Sequence, residues 1–149
     1  MHTTSLLRAL LPLVLLLAGC RGLPVLGPDS GDGEVARRHR AWEDARPRAY
    51  RYVWSYSCFC VPGDAVRVEV SGDRITSVTD PRTGAPAPRP AVLYTVDGLF
   101  EAMERAERDG TRVRAEYHPR LGYPVRAEIG TPENDAGTIF LVSGVEAVR

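Results

Sequence analysis

The sequence predicts an α+β domain, in which one antiparallel sheet of about five to six strands is packed on one face by two helices. Three observations support this prediction. Residues 50–60 alternate between two kinds of side chain with the two-residue period of a strand, and residues 111–117 and 125–129 do the same. Residues 96–109 have the helical period instead. Short turns join most of the strands, which favours hairpins over crossover units.

The first helix is predicted over residues 34–46, where Val35, His39 and Trp42 recur at the spacing of one helix face. Pro47 ends the pattern, because proline lacks the amide hydrogen that a helix interior needs. The apolar stripe is narrow, so we expect this helix to lie at the edge of the core. We expect His39 to be a residue of that edge.

Three strands are predicted next. Residues 50–60 place a row of aromatic side chains on one face of the first strand. Residues 66–70 and 75–79 flank a Ser-Gly-Asp-Arg turn, which predicts a hairpin. Ile75 and Val78 do not share a face, so we expect a twist or a bulge in the second strand of this hairpin.

The second helix is predicted over residues 96–109, and Thr95 precedes it as a good N-cap. Its apolar residues form one stripe, which we expect to face the sheet: Val96, Leu99, Phe100, Met103 and Ala106. On the opposite side we expect two ion pairs one turn apart, Glu101 with Arg105 and Glu104 with Arg108.

The last strands form a second antiparallel group. Residues 111–117 and 125–129 alternate cleanly, and the turn at residues 118–123 joins them. Residues 139–142 are apolar on both faces, which predicts an inner strand of the sheet.

The N-terminal segment has the features of an export signal. Residues 9–18 form an apolar run after Arg8, and this run is too short to cross a bilayer, which takes about 20 residues. It ends in Leu-Ala-Gly-Cys at residues 17–20, which is similar to the lipobox of bacterial lipoprotein signals. By this resemblance the signal is cut before Cys20, whose thiol and new amine are acylated.

Acylation of Cys20 by more than one chain makes a lasting membrane anchor. We therefore expect the protein in the bacterial cell envelope, anchored by lipid, with its domain outside the cytoplasm. The sequence thus divides into three segments: a signal peptide at residues 1–19, a lipidated cysteine and a Gly/Pro-rich tether at residues 20–33, and a single α+β domain at residues 34–149.

Cys58 and Cys60 are the two cysteines that remain once Cys20 is lipidated, and three roles are open for them. On a strand they share a face about 6.6 Å apart, at the upper edge of the Cα separation of a disulfide, so a bridge needs a local kink. An oxidising compartment favours a disulfide, and two buried thiols are the alternative. Metal binding is the least favoured, because zinc-binding cysteine pairs have a wider spacing.

Two segments of the chain resemble a known family. The Cys-Phe-Cys segment at residues 58–60 and the Gly-Tyr-Pro segment at residues 122–124 are similar to the uncharacterised bacterial lipoproteins of domain of unknown function 6174. The resemblance covers most of residues 40–142 and implies the architecture and the location. This chain departs from the family pattern at one place: an acidic residue follows the Gly-Tyr-Pro strand in the family, where this chain has Ile129 and Gly130. An acidic site in this loop is therefore not carried over from the resemblance.

The sequence predicts no catalytic, cofactor-binding or metal-binding residues, and so no enzyme. It contains no Gly-x-Ser-x-Gly segment, no Gly-rich phosphate loop and no paired-histidine zinc motif. His118 precedes Pro119 and is expected to be a turn residue. Arginine and lysine together number 19, as do aspartate and glutamate, and this neutrality disfavours binding to nucleic acid.

These observations predict a lipid-anchored cell-envelope protein that acts as a non-enzymatic binding or interaction module. Its expected partners are the membrane, through Cys20, and an unknown envelope protein or ligand. The alternative is a thiol–disulfide redox protein that uses Cys58 and Cys60, which requires an exposed sulfur and a stabilised thiolate. A third hypothesis is contact between lipid headgroups and the arginines of the first helix.

Overall fold

The alternating aromatic segment is strand β1, Ala49–Cys58, in the computed structural model, which describes residues 33–59, 64–134 and 136–148. Its aromatic side chains at alternate positions are all buried: Tyr50, Tyr52, Trp54 and Tyr56. The residues between them are more exposed. The two-residue period therefore separates a buried face from a solvent face, as predicted.

Six strands form one open antiparallel sheet in the order β3-β2-β1-β6-β5-β4. The other strands are β2 Val66–Ser71, β3 Arg74–Thr79, β4 Val113–Tyr117, β5 Pro124–Thr131 and β6 Ala136–Ala147. The helices are α1 Glu34–Ala45 and α2 Val96–Arg108. The predicted α+β class is confirmed, and β6 is the inner strand that its apolar sequence indicated.

The hairpin of β2 and β3 contains the irregularity expected from its sequence. Glu69 pairs with Ser77 but the next residue, Val70, pairs with Ile75, so Thr76 is an extra residue on β3. This bulge moves Ile75 onto the face that Val70 occupies, and both residues belong to or pack against the core.

Helix α2 lies against the sheet through its apolar stripe, whose five residues are all buried. The hydroxyl of Thr95 accepts a hydrogen bond of 2.9 Å from the amide of Gly98 and caps the first turn, as predicted. Helix α1 runs antiparallel to α2, because His39 contacts Glu104 near the end of α2 while Arg46 reaches Asp97 at its start.

The expectation that α1 lies at the edge of the core is wrong for Trp42. This side chain is completely buried. Its ring meets Tyr50 of β1 edge-on at 5.4 Å between centroids, and Tyr123 at 6.0 Å. A single tryptophan covers the area of several smaller residues, so a narrow stripe still anchors the helix to the sheet.

The connection between β3 and α2 covers the remaining part of the buried face. The Tyr52 hydroxyl donates to the carbonyl of Tyr94, and the indole nitrogen of Trp54 donates to the carbonyl of Val92 at 3.1 Å. These bonds satisfy the polar atoms of two buried aromatic residues. Among the helices that the structure describes, none is long and apolar enough to cross a membrane.

Candidate functional site

Of the three cysteines that were candidate site residues, the structure describes only Cys58. Cys20 and Cys60 lie outside the described residues, as do the signal peptide and the tether. Cys58 is the last residue of β1, half-buried against the core, and it is disulfide-bonded. Its pairing with Cys60 stays a prediction.

His39 lies between the two helices and contacts both a ring and a carboxylate of α2. Its Nδ1 is 2.8 Å from Oε1 of Glu104. Its ring is stacked on Phe100. The predicted pairing of Glu104 with Arg108 is therefore wrong, because the carboxylate turns inward to the imidazole, where less water competes for the contact.

Asp97 lies in the first turn of α2, where the exposed amides of the helix favour a negative charge. The hydroxyl of Tyr50 donates to its Oδ2 at 3.3 Å, and Nε of Arg46 lies 3.1 Å from its Oδ1. The contact with Arg46 is an ion pair without hydrogen-bond alignment, since Oδ1 has no hydrogen-bond partner among the described residues. Burial, with a smaller contribution from Asp97, raises the pKa of Tyr50 well above its usual value.

The two helices bring together three potential ligands, which we name the His39 cluster: His39, Glu43 and Asp97. One ligand atom of each lies within 4.8 Å of the other two. His39 and Glu43 are one turn apart on α1, which the sequence shows. Asp97 comes from a distant part of the chain, and no local pattern in the sequence places it beside them.

The other face of the sheet, which we name the open face, has no described helix packed on it. It carries these outward-facing residues of the three central strands: Arg51, Val53, Ser55, Ser57, Arg126, Glu128, Ile139, Leu141, Ser143 and Glu146. Leu141 is 41% exposed and lies opposite Ser55 on one side and Arg126 on the other. The open face therefore has an apolar centre on β6.

Charged side chains lie beside this apolar centre on β5 and beyond one end of it on β1 and β6. Arg126 and Glu128 of β5 form an ion pair at 2.6 Å, and Arg51 of β1 pairs with Glu146 of β6 at 2.7 Å. The hydrogen bond from Arg51 holds the pKa of the Glu146 carboxyl below its usual value, so this pair is ionised at neutral pH. The border is zwitterionic.

His118 is a turn residue, as predicted. Its Nδ1 accepts hydrogen bonds from the amides of Arg120 and Leu121, at 3.3 and 3.1 Å. Its ring stacks on Tyr123 at 4.8 Å. The ring thus holds the turn between β4 and β5 through one nitrogen and one face.

Neither a curated protein nor a solved structure matches the chain. Residues 34–147 match one protein family, and this match includes both helices and all six strands. Because the match covers well over half of the chain, the protein belongs to the family of unknown function DUF6174.

Proposed function

We propose that the protein is a lipid-anchored component of the bacterial cell envelope whose domain binds an envelope protein through the open face. The observation that carries this proposal is the uneven covering of the sheet. Both described helices pack on the aromatic face, and Leu141 on the opposite face is one of two large hydrophobic residues exposed in the described part of the chain. Exposed apolar residues rimmed by charge are typical of interaction surfaces.

The organisation of the open face supports a protein partner over a polyanion. Leu141 and Ile139 supply an apolar centre, and the ion pairs at its border contain as many acids as arginines. Such a border gives directional contacts to a surface with paired charges of its own and little attraction for a uniformly charged polymer.

The N-terminal segment supports the anchoring part of the proposal. The lipobox-like segment before Cys20 and the Gly/Pro-rich residues 21–33 together provide an anchor and a tether. Extended, this tether reaches on the order of 40 Å, enough for the domain to contact a neighbouring protein while it stays attached to the membrane.

Site-directed photocrosslinking in living cells tests the binding surface. A photoreactive amino acid at position 141 is expected to give a discrete adduct with one envelope protein. The same amino acid at Glu101, whose side chain is 60% exposed on the helical side, is the matched control and is expected to give none. Equal labelling from both positions, or adducts with lipid only, would contradict the proposal.

The alternative function is thiol–disulfide exchange by Cys58 and Cys60, and one observation favours it. Phe59 between them is 82% exposed, so a partner protein can reach this segment. Peptide mapping with and without reductant tests whether Cys60 is the partner of Cys58. Rapid modification of either cysteine in the reduced native protein, with a pKa well below about 8.5, would support the redox function, and slow modification would support a structural bridge.

A further inference from the structure

We propose that the His39 cluster binds a divalent transition-metal ion, and that zinc is the ion it fits best. His39, Glu43 and Asp97 offer one imidazole nitrogen and two carboxylate oxygens, a ligand type that zinc accepts. With three protein ligands, the fourth position of a tetrahedral ion is open to water or to an atom of a bound partner.

The first argument is a buried nitrogen without a partner. Because Nδ1 of His39 is held by Glu104, the nitrogen that remains for a metal ion is Nε2. Nε2 is buried and has no hydrogen-bond partner among the described residues. Oδ1 of Asp97 is buried and accepts no hydrogen bond from them, although Arg46 is its ion-pair partner. Buried polar atoms are rarely left without partners, and a bound cation supplies one partner for both atoms.

The second argument is the support behind these ligands. Histidine ligands of zinc usually donate their other ring N–H to a carboxylate, and Glu104 provides this contact to His39. The hydroxyl of Tyr50 donates to Oδ2 of Asp97 and leaves Oδ1 for the ion. The contacts that orient two of the three ligands are therefore already made.

The geometry requires one small movement. Zinc bonds of about 2.0–2.1 Å in a tetrahedral site place ligand atoms about 3.3 Å apart. The atoms of the His39 cluster lie within 4.8 Å of one another, so they must close by roughly 1.5 Å. Glu43 is exposed, so its side chain is free to change rotamer and bring its carboxylate closer to the other two ligands.

Arg46 is the charge that opposes the ion. Its Nε is 3.1 Å from Oδ1 of Asp97, where a metal ion would lie. Arg46 also reaches Oδ1 of Asp73 at 3.7 Å and the carbonyl of Gly72 at 3.5 Å. The guanidinium therefore keeps two other acceptors when zinc takes its place at Asp97.

Isothermal titration calorimetry of zinc chloride into the metal-depleted mature protein, without an affinity tag, tests the site. We expect one zinc ion per chain. Glu43→Gln is the informative variant, because it removes one ligand from an exposed position without disturbing the core. Asp44→Asn is the matched control, since it removes the same charge from the next exposed residue of α1.

The proposal predicts that Glu43→Gln weakens zinc binding at least tenfold and that Asp44→Asn leaves it unchanged. Glu104→Gln should weaken binding about 10- to 100-fold by loosening the orientation of His39, while circular dichroism shows the fold intact. Absence of zinc binding, a loss below tenfold in Glu43→Gln, or an equal loss in Asp44→Asn would each overturn the proposal.

Discussion

The imidazole of His39 is stacked on the phenyl ring of Phe100, with 4.8 Å between ring centroids and 12° between the ring planes. Tyr117 of β4 stacks on the same phenyl ring, with centroids 6.2 Å apart and planes 11° apart. Phe100 is thus a completely buried ring between a helix and a strand. It connects α1, α2 and the β4 edge of the sheet in one stack.

Removal of the Phe100 ring is expected to destabilise the domain as a whole. Phe100→Ala should lower the free energy of unfolding by about 3–5 kcal/mol, because both flanking rings lose a partner and a cavity remains. Chemical denaturation measures the change. The neighbouring Glu101→Ala, on the exposed side of α2, is the control and should change it by less than about 0.5 kcal/mol. An unchanged Tm for Phe100→Ala would contradict this packing.

The buried tyrosines should make the fold sensitive to alkaline pH. Burial raises the pKa of Tyr50 and Tyr52 far above the unfolded value of about 10. Both therefore keep their protons in the folded protein and lose them in the unfolded chain. Their contribution is complete below about pH 10, and above it the free energy of unfolding falls by up to about 1.4 kcal/mol per pH unit for each tyrosine.

Denaturation at a series of pH values between about pH 9 and about pH 11 measures this slope. Burial also raises the pKa of Tyr117 and Tyr123, so four tyrosines contribute to the slope. Tyr52→Phe should reduce it by about a quarter, because one of the four coupled protons is gone. A stability that is flat across this range, or a slope that Tyr52→Phe leaves unchanged, would show that these hydroxyls ionise in the folded protein.

Gly130 and Gly122 both have a positive φ, but only Gly130 has other atoms close to its Cβ position. Comparing alanine substitutions at the two positions therefore separates the cost of a steric clash from the cost of the backbone conformation. Gly130 has φ +91°, and a Cβ there would lie 2.4 Å from the carbonyl oxygen of Ala136 on β6. Gly122 has φ +74°, and nothing lies within 4 Å of its Cβ position. Gly122→Ala should cost about 1 kcal/mol for the backbone, and Gly130→Ala about 1–3 kcal/mol more. Equal losses in denaturation would exclude a close approach of β5 and β6.

Membrane association is expected to depend on Cys20. Cys20→Ala should give an unprocessed or soluble protein, because the acyl chains have no other site of attachment in the lipobox-like segment. Cell fractionation and mass spectrometry of the mature N-terminus measure this. The lipoprotein prediction would fail if the variant were still acylated and remained in the membrane fraction.

The elements that the sequence predicts best are those whose pattern is local. The alternation at residues 50–58 and the capped stripe at residues 96–108 both have the predicted burial. The period of a strand or helix can be read from residues that are close in the sequence. The buried face of the element can therefore be recognised without knowing what packs against it. The depth of Trp42 was missed, because it depends on the partner that the side chain meets.

The His39 cluster shows why the rest was not predicted. His39 pairs with Glu104 and lies beside Asp97, both on α2, because the two helices are antiparallel neighbours on one face of the sheet. From the sequence of α2 alone, Glu104 is also well placed for an ion pair with Arg108, one helical turn away. Only the packing of α1 against α2 decides between these two partners, and no periodicity in either helix encodes it.

The position of β6 has a consequence for the order in which the molecule assembles. In the sheet, β6 lies between β1 and β5. Tyr56 therefore pairs with Phe140, a residue that is far from it in the sequence. On the ribosome, β1–β3 and β4–β5 emerge as two groups that share no backbone pairing. The last strand of the sheet to be synthesised joins them, and a long-range closure of this kind is slow. The nascent chain thus has no continuous sheet until β6 emerges, and its two halves can pair their backbones only then.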